Sequence, residues 1–120
     1  MRKLLITLIL CAAAPTIEMP DADLMQPDEV HKIASYGRFV TTSPACGIRD
    51  DLWAKFLEER LRSRLSATFD HENGLRLLER FEVRGTYEVR ADQAATCKWI
   101  SIRWLLKEAD DIVLGNWPKD

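Results

Sequence analysis

Apolar residues recur at spacings of three and four along most of the chain, a period that predicts helices. The plainest row is Trp53, Leu57, Leu61 and Leu65, with Leu52 and Phe56 alongside. Asp50 and Asp51 precede it, where a helix dipole favours negative charge. Glu58 and Glu59 stand within one turn of Arg62 on the polar face, and this segment predicts a helix over 49–67. Earlier, Pro27 sits at a first helical position with Asp28 and Glu29 behind it. Val30, Ile33, Ala34, Gly37 and Val40 then share one face, which predicts a helix over 27–40 stopped by Thr41-Thr42-Ser43-Pro44.

The pattern after residue 70 is mixed. Asp70-His71-Glu72-Asn73-Gly74 reads as a turn, and Leu75, Leu77, Leu78 and Phe81 then begin a helical face. Phe81, Val83, Tyr87 and Val89, however, alternate with polar residues as on a half-buried strand, with Gly85 among them. No second alternating run exists to pair with such a strand, and a lone strand leaves its backbone groups unsatisfied. Helix over 72–89, with a kink at Gly85, is therefore favoured, with strand for 81–90 left as the alternative. The last segment, 91–114, carries two apolar rows: Cys97, Ile100 and Trp104 in one, and Trp99, Ile102, Leu106, Ala109 and Val113 in the other. Two rows call for neighbours on more than one side, and Gly115 is a natural helix cap. The expected fold is all-α: a small antiparallel bundle of about four helices (27–40, 49–67, 72–89, 91–114) in a single domain over 27–117.

The start of the chain has a different pattern. Arg2 and Lys3 precede an apolar run from Leu4 to Cys11, and Ala12-Ala13-Ala14 follows. Cation, short apolar run and small residues together predict a secretory signal peptide over 1–14, cut after Ala13 or Ala14. The run is too short to span a bilayer, which takes about 20 residues, and Glu18, Asp21 and Asp23 lie close behind it. Cys11 follows Leu10 rather than the small residue that a lipoprotein site requires, so it is read as part of the apolar run. Residues 15–26 are polar, hold two prolines and show no period, and are read as a flexible lead-in.

Export changes how the charges and cysteines are counted. The chain has 17 basic and 19 acidic residues; without Arg2 and Lys3 the balance is 15 against 19, a net −4. Charges of both signs are interspersed, so no nucleic-acid partner is expected, and neither is an integral membrane protein after signal cleavage. Without Cys11, Cys46 and Cys97 remain, and an even count in an exported chain predicts a disulfide. Closing a loop of roughly fifty residues stabilises a fold by about 4 kcal/mol on the chain-entropy model.

Chemistry-bearing patterns are few. Neither a CxxC pair nor a glycine-rich phosphate loop is present, no serine has glycine neighbours as at a nucleophile elbow, and His31 and His71 lack a third ligand at a metal-site spacing. No catalytic residues, metal or cofactor are expected; the one alternative is a minimal enzyme site around Asp70, His71 and Glu72. Of the four tryptophans, Trp53, Trp99 and Trp104 fall on apolar rows and are expected in the core. Trp117, in a terminal Asn-Trp-Pro, is the candidate exposed anchor for a partner. In general design, a short exported chain with one disulfide across about half of it, the protein resembles small periplasmic acid-stress chaperones. The resemblance is one of architecture, with no motif residue matched. It implies that apolar surface is released as carboxylates protonate. The expected role is protein–protein interaction with another envelope protein in the periplasm or outside the cell, inhibitor-, immunity- or chaperone-like. A structural component of the envelope is the other reading.

Overall fold

The computed structural model describes residues 27–68 and 70–118. The expected signal peptide and lead-in lie outside the described residues. The fold is an all-α bundle in which Cys46 and Cys97 form a disulfide, their Cα atoms 5.5 Å apart. Six helical segments follow one another: α1 (Pro27–Ser35), α2 (Gly37–Ala45), α3 (Asp51–Ser66), α4 (His71–Ala91), α5 (Gln93–Ile100) and α6 (Arg103–Val113). The longest, α4, packs against α1, α2, α3 and α5, while α6 lies on α3. Among the described residues no helix is long and apolar enough to cross a membrane.

The core is built from the rows seen in the sequence. Leu57, Leu61 and Leu65 of α3 are fully buried, as are Leu78 of α4, Ile100 of α5 and Ile112 of α6. Phe39, Tyr36, Ile33 and Ala34 close it from the α1–α2 side. On α3 the Asp50 carboxylate accepts from the Trp53 N–H at 2.9 Å and caps the helix. Asp92 does the same for α5 through the Ala95 N–H at 3.0 Å, which separates α5 from α4.

Two of the four expected helices are interrupted. The stretch from residue 27 turns at Tyr36 and then continues through Thr41-Thr42-Ser43-Pro44 to Ala45, past its expected end. The Thr42 hydroxyl donates back to the Arg38 carbonyl at 2.6 Å, the local bond a helical threonine makes. Pro44 falls in the last turn, and the helix ends instead at Gly47, whose positive φ of 71° suits glycine. There the Ile48 N–H reaches the Ser43 carbonyl and the Gly47 N–H the Pro44 carbonyl, each at 3.0 Å, a Schellman closure. Gly115 closes α6 in the same way, as its position in the sequence suggests.

The second interruption lies at Ser101–Ile102. Ile102 is extended (φ −58°, ψ 122°), and the direction of the chain changes between α5 and α6. α5 packs on α4 and α2, whereas α6 packs on α3. The two apolar rows of this segment thus meet different neighbours through a bend rather than around one straight helix.

Residues 81–90 are helical, and α4 begins at His71, inside the expected turn. Val83 and Tyr87, half of the apparent alternation, are exposed. Gly85 is buried because α2 crosses there: a β-carbon would lie 2.9 Å from the Arg38 carbonyl oxygen and inside contact distance of Thr41. The Thr41 hydroxyl donates to the Glu82 carbonyl at 2.8 Å across the same crossing. In an open helix, glycine to alanine gains about 1 kcal/mol. Here overpacking outweighs that gain, and Gly85→Ala should destabilise the fold by about 2 kcal/mol. Urea unfolding checks this; an unchanged or raised midpoint would contradict the close crossing.

Candidate interaction site

The Gly47 closure sets Ile48 and Arg49 against α6. Arg49 holds the Asp110 carboxylate with two parallel bonds, Nε to Oδ1 at 3.0 Å and Nη2 to Oδ2 at 2.6 Å. Its third nitrogen donates to the Ile48 carbonyl at 2.8 Å. Trp53 of α3 donates its indole N–H to Asp110 at 2.9 Å, and the Arg49 guanidinium lies 5.7 Å from the centre of the Trp53 ring. The Arg49 bonds hold the Asp110 carboxyl below the usual carboxylate range, against a smaller opposing effect of burial. One carboxylate thus joins α6, α3 and the loop that carries Cys46.

Beside this cluster lies a cleft of about 330 Å³, lined by Arg49, Ser101, Arg103, Leu106, Lys107 and Asp110. It opens at the bend between α5 and α6, where three large apolar side chains are exposed. Trp104 is 62% exposed, Ile102 38% and Trp99 37%. Trp99 and Trp104, expected in the core, therefore lie at the surface. The bend turns them out, because the core at this corner is filled by Ile100 and Ile112. Trp99 is held in place, stacked on Phe39 at 6.1 Å with the Arg38 guanidinium 4.1 Å from its centre. Arg38 is itself clamped by the two oxygens of Glu88, each at 3.0 Å. A second tie to α6 runs from the Tyr36 hydroxyl to Glu108 at 2.5 Å. Burial, reinforced by Glu108, pushes the Tyr36 phenol well above its ordinary value.

The residues singled out from the sequence are dispersed. Trp117 is partly buried, packed against the core with the Arg64 guanidinium 5.0 Å from its ring centre. His71 is exposed in the first turn of α4, and the Asp70 carboxylate accepts from the Asn73 amide at 2.8 Å. Glu72 borders a shallow cleft with Arg62 and Glu79. Among the described residues no group of three His, Cys, Asp or Glu side chains is placed to hold a metal ion. The corner itself was not singled out in the sequence. The available signal was that Trp99, Ile102 and Trp104, at spacings of three and two, do not all face one neighbour along one helix.

A second polar cluster lies between α3 and α4. Glu82 is half-buried, with one carboxylate oxygen buried and without a hydrogen-bond partner. Glu58 faces it from α3 and is paired with Arg62 at 3.8 Å. Burial first, and then hydrogen bonding to Glu58 and the charge of that neighbour, push the Glu82 carboxyl up to about 8.

The chain matches no family model, no curated protein sequence and no solved structure.

Because the folded protein resists ionising Glu82 while the unfolded chain does not, this group favours folding at low pH. The contribution is lost as pH rises from the ordinary carboxylate range through about 8. Glu82→Gln removes the ionisation. Its stability advantage over the parent should widen from about pH 5 to about pH 9, as read from urea midpoints. A difference that is constant with pH would contradict the assignment.

Proposed function

We propose that this is an exported protein that acts by holding another protein of the cell envelope, and that the α5–α6 corner is its contact surface. One observation carries the reading: Trp99, Ile102 and Trp104 are all exposed within one short stretch at the α5–α6 bend, and Ser101 and Arg103 of the same stretch line a cleft with Lys107. Tryptophan and arginine supply most of the energy at protein interfaces, because they combine a large rigid surface with directed hydrogen bonds. An exposed tryptophan in a chain with this many buried leucines is retained at a cost in solubility, and a partner that covers it removes that cost. The export half of the reading rests on the order of charge, apolar run and small residues at the start of the chain. Inhibitors, immunity proteins and chaperones all work in this way, through a preformed face and without a cofactor.

A photoreactive residue placed at position 104 of the exported protein should trap one partner in the envelope, and the same residue at Lys55, on the exposed side of α3, should not. Trp104→Ala should weaken that partner's binding about tenfold or more while shifting stability by less than about 0.5 kcal/mol. Binding by Trp104→Ala as tight as the parent's would overturn the assignment of the corner.

A further inference from the structure

A separate cavity lies between α1 and α4, of about 260 Å³, lined by His31, Leu77, Arg80, Phe81 and Arg84. At roughly 30 Å³ for each water-sized group, it has room for about nine of them. Its floor is apolar. Phe81 is almost fully buried, and the His31 ring meets it edge-on at 5.3 Å. Its rim is cationic. Arg80 and Arg84 lie one turn apart on the same face of α4, and the Arg84 guanidinium sits 5.3 Å from the centre of the Phe81 ring.

Among the described residues neither Arg80 nor Arg84 takes an ion pair, and both side chains are exposed, so both guanidinium groups are open to a ligand. Like charges one turn apart on a helix repel, and an anion held between Arg80 and Arg84 would relieve that repulsion. Val83 and Tyr87 continue the same side of α4 as exposed apolar side chains, 47% and 63% exposed. Unpaired guanidinium groups over an apolar floor suit a ligand with an anionic head and an apolar body, because guanidinium groups bind carboxylate and phosphate oxygens in pairs.

We infer that this cavity binds an amphiphilic anion, a carboxylate or phosphate carried on an apolar chain, held at its head by Arg80 and Arg84 and at its body by Leu77 and Phe81. The inference is independent of the α5–α6 corner, which uses other helices.

The test titrates the protein with octanoate, octyl phosphate and octanol, following the His31 and Phe81 ring protons by NMR. At least one of the two anions should bind about tenfold or more tightly than octanol. Which anion wins distinguishes a free carboxylate from a phosphate ester as the natural head group. Arg80→Gln with Arg84→Gln should weaken that binding about tenfold or more at an unchanged unfolding midpoint, since both side chains are exposed, while Arg103→Gln should leave it unchanged. The proposal is overturned if octanol binds as tightly as both anions, if none of the three moves the ring protons, or if the double variant keeps the parent's affinity.

Discussion

The bond between Cys46 and Cys97 ties the loop after α2 to the middle of α5, and the arrangement around it follows from that tie. With α5 drawn onto α2 and α4, the remainder of the segment has to turn before α6 can cover α3. The turn falls at Ser101–Ile102, directly after the buried Ile100. Its consequence is outward: Trp99 before the bend, Ile102 in it and Trp104 after it are all exposed. The same loop carries Arg49 to Asp110, so one short stretch, from Gly47 to Asp50, connects the bridge, the α2 closure and the cleft. A single covalent bond therefore determines both how the last third of the chain packs and which of its aromatic side chains meet solvent.

The magnitudes assign different work to packing and to polar contacts. Each fully buried leucine or isoleucine contributes about 2 kcal/mol through the area removed from water, and six of them form the centre of the bundle: Leu57, Leu61, Leu65, Leu78, Ile100 and Ile112. Ion pairs whose side chains remain about one-third exposed, as Arg49–Asp110 and Arg38–Glu88 do, contribute well under about 1 kcal/mol each. Their effect is on geometry. Arg49 and Asp110 fix the cleft wall and the Trp53 indole, and Arg38 with Glu88 fixes the plane of Trp99. The apolar core holds the bundle together, and the charged pairs set the shape of its surface.

Much of the bundle was legible in the sequence because its determinants are local. The row Trp53, Leu57, Leu61 and Leu65, the acidic start at Asp50, and Gly115 at the end of α6 all act within a turn or two of the residues that show them. The cysteine pairing was legible because, with Cys11 read as part of the expected leader, Cys46 and Cys97 were the two that remained. What was not legible depends on contacts distant in sequence. Gly85 is demanded by the backbone of Arg38, which lies on another helix, and the alternation around it has no structural meaning. The continuation of α2 through Pro44 rests on the hydroxyl bond of Thr42 and the closure at Gly47. Trp99 and Trp104 share spacings with buried residues, and only the bend separates them from the core. The exposed α5–α6 corner was hidden for the same reason: a helical period assumes a continuous helix, and this one stops.

The central claim is that the disulfide holds the bend that presents the corner. Amide hydrogen exchange, compared between the oxidised and the reduced protein, tests it most directly, since it reports opening segment by segment. Reduction should raise exchange in residues 46–50 and 93–104 while the middles of α3 and α4 keep their protection. Protection of 93–104 that is unchanged by reduction, or lost no faster there than along α3, would contradict the account.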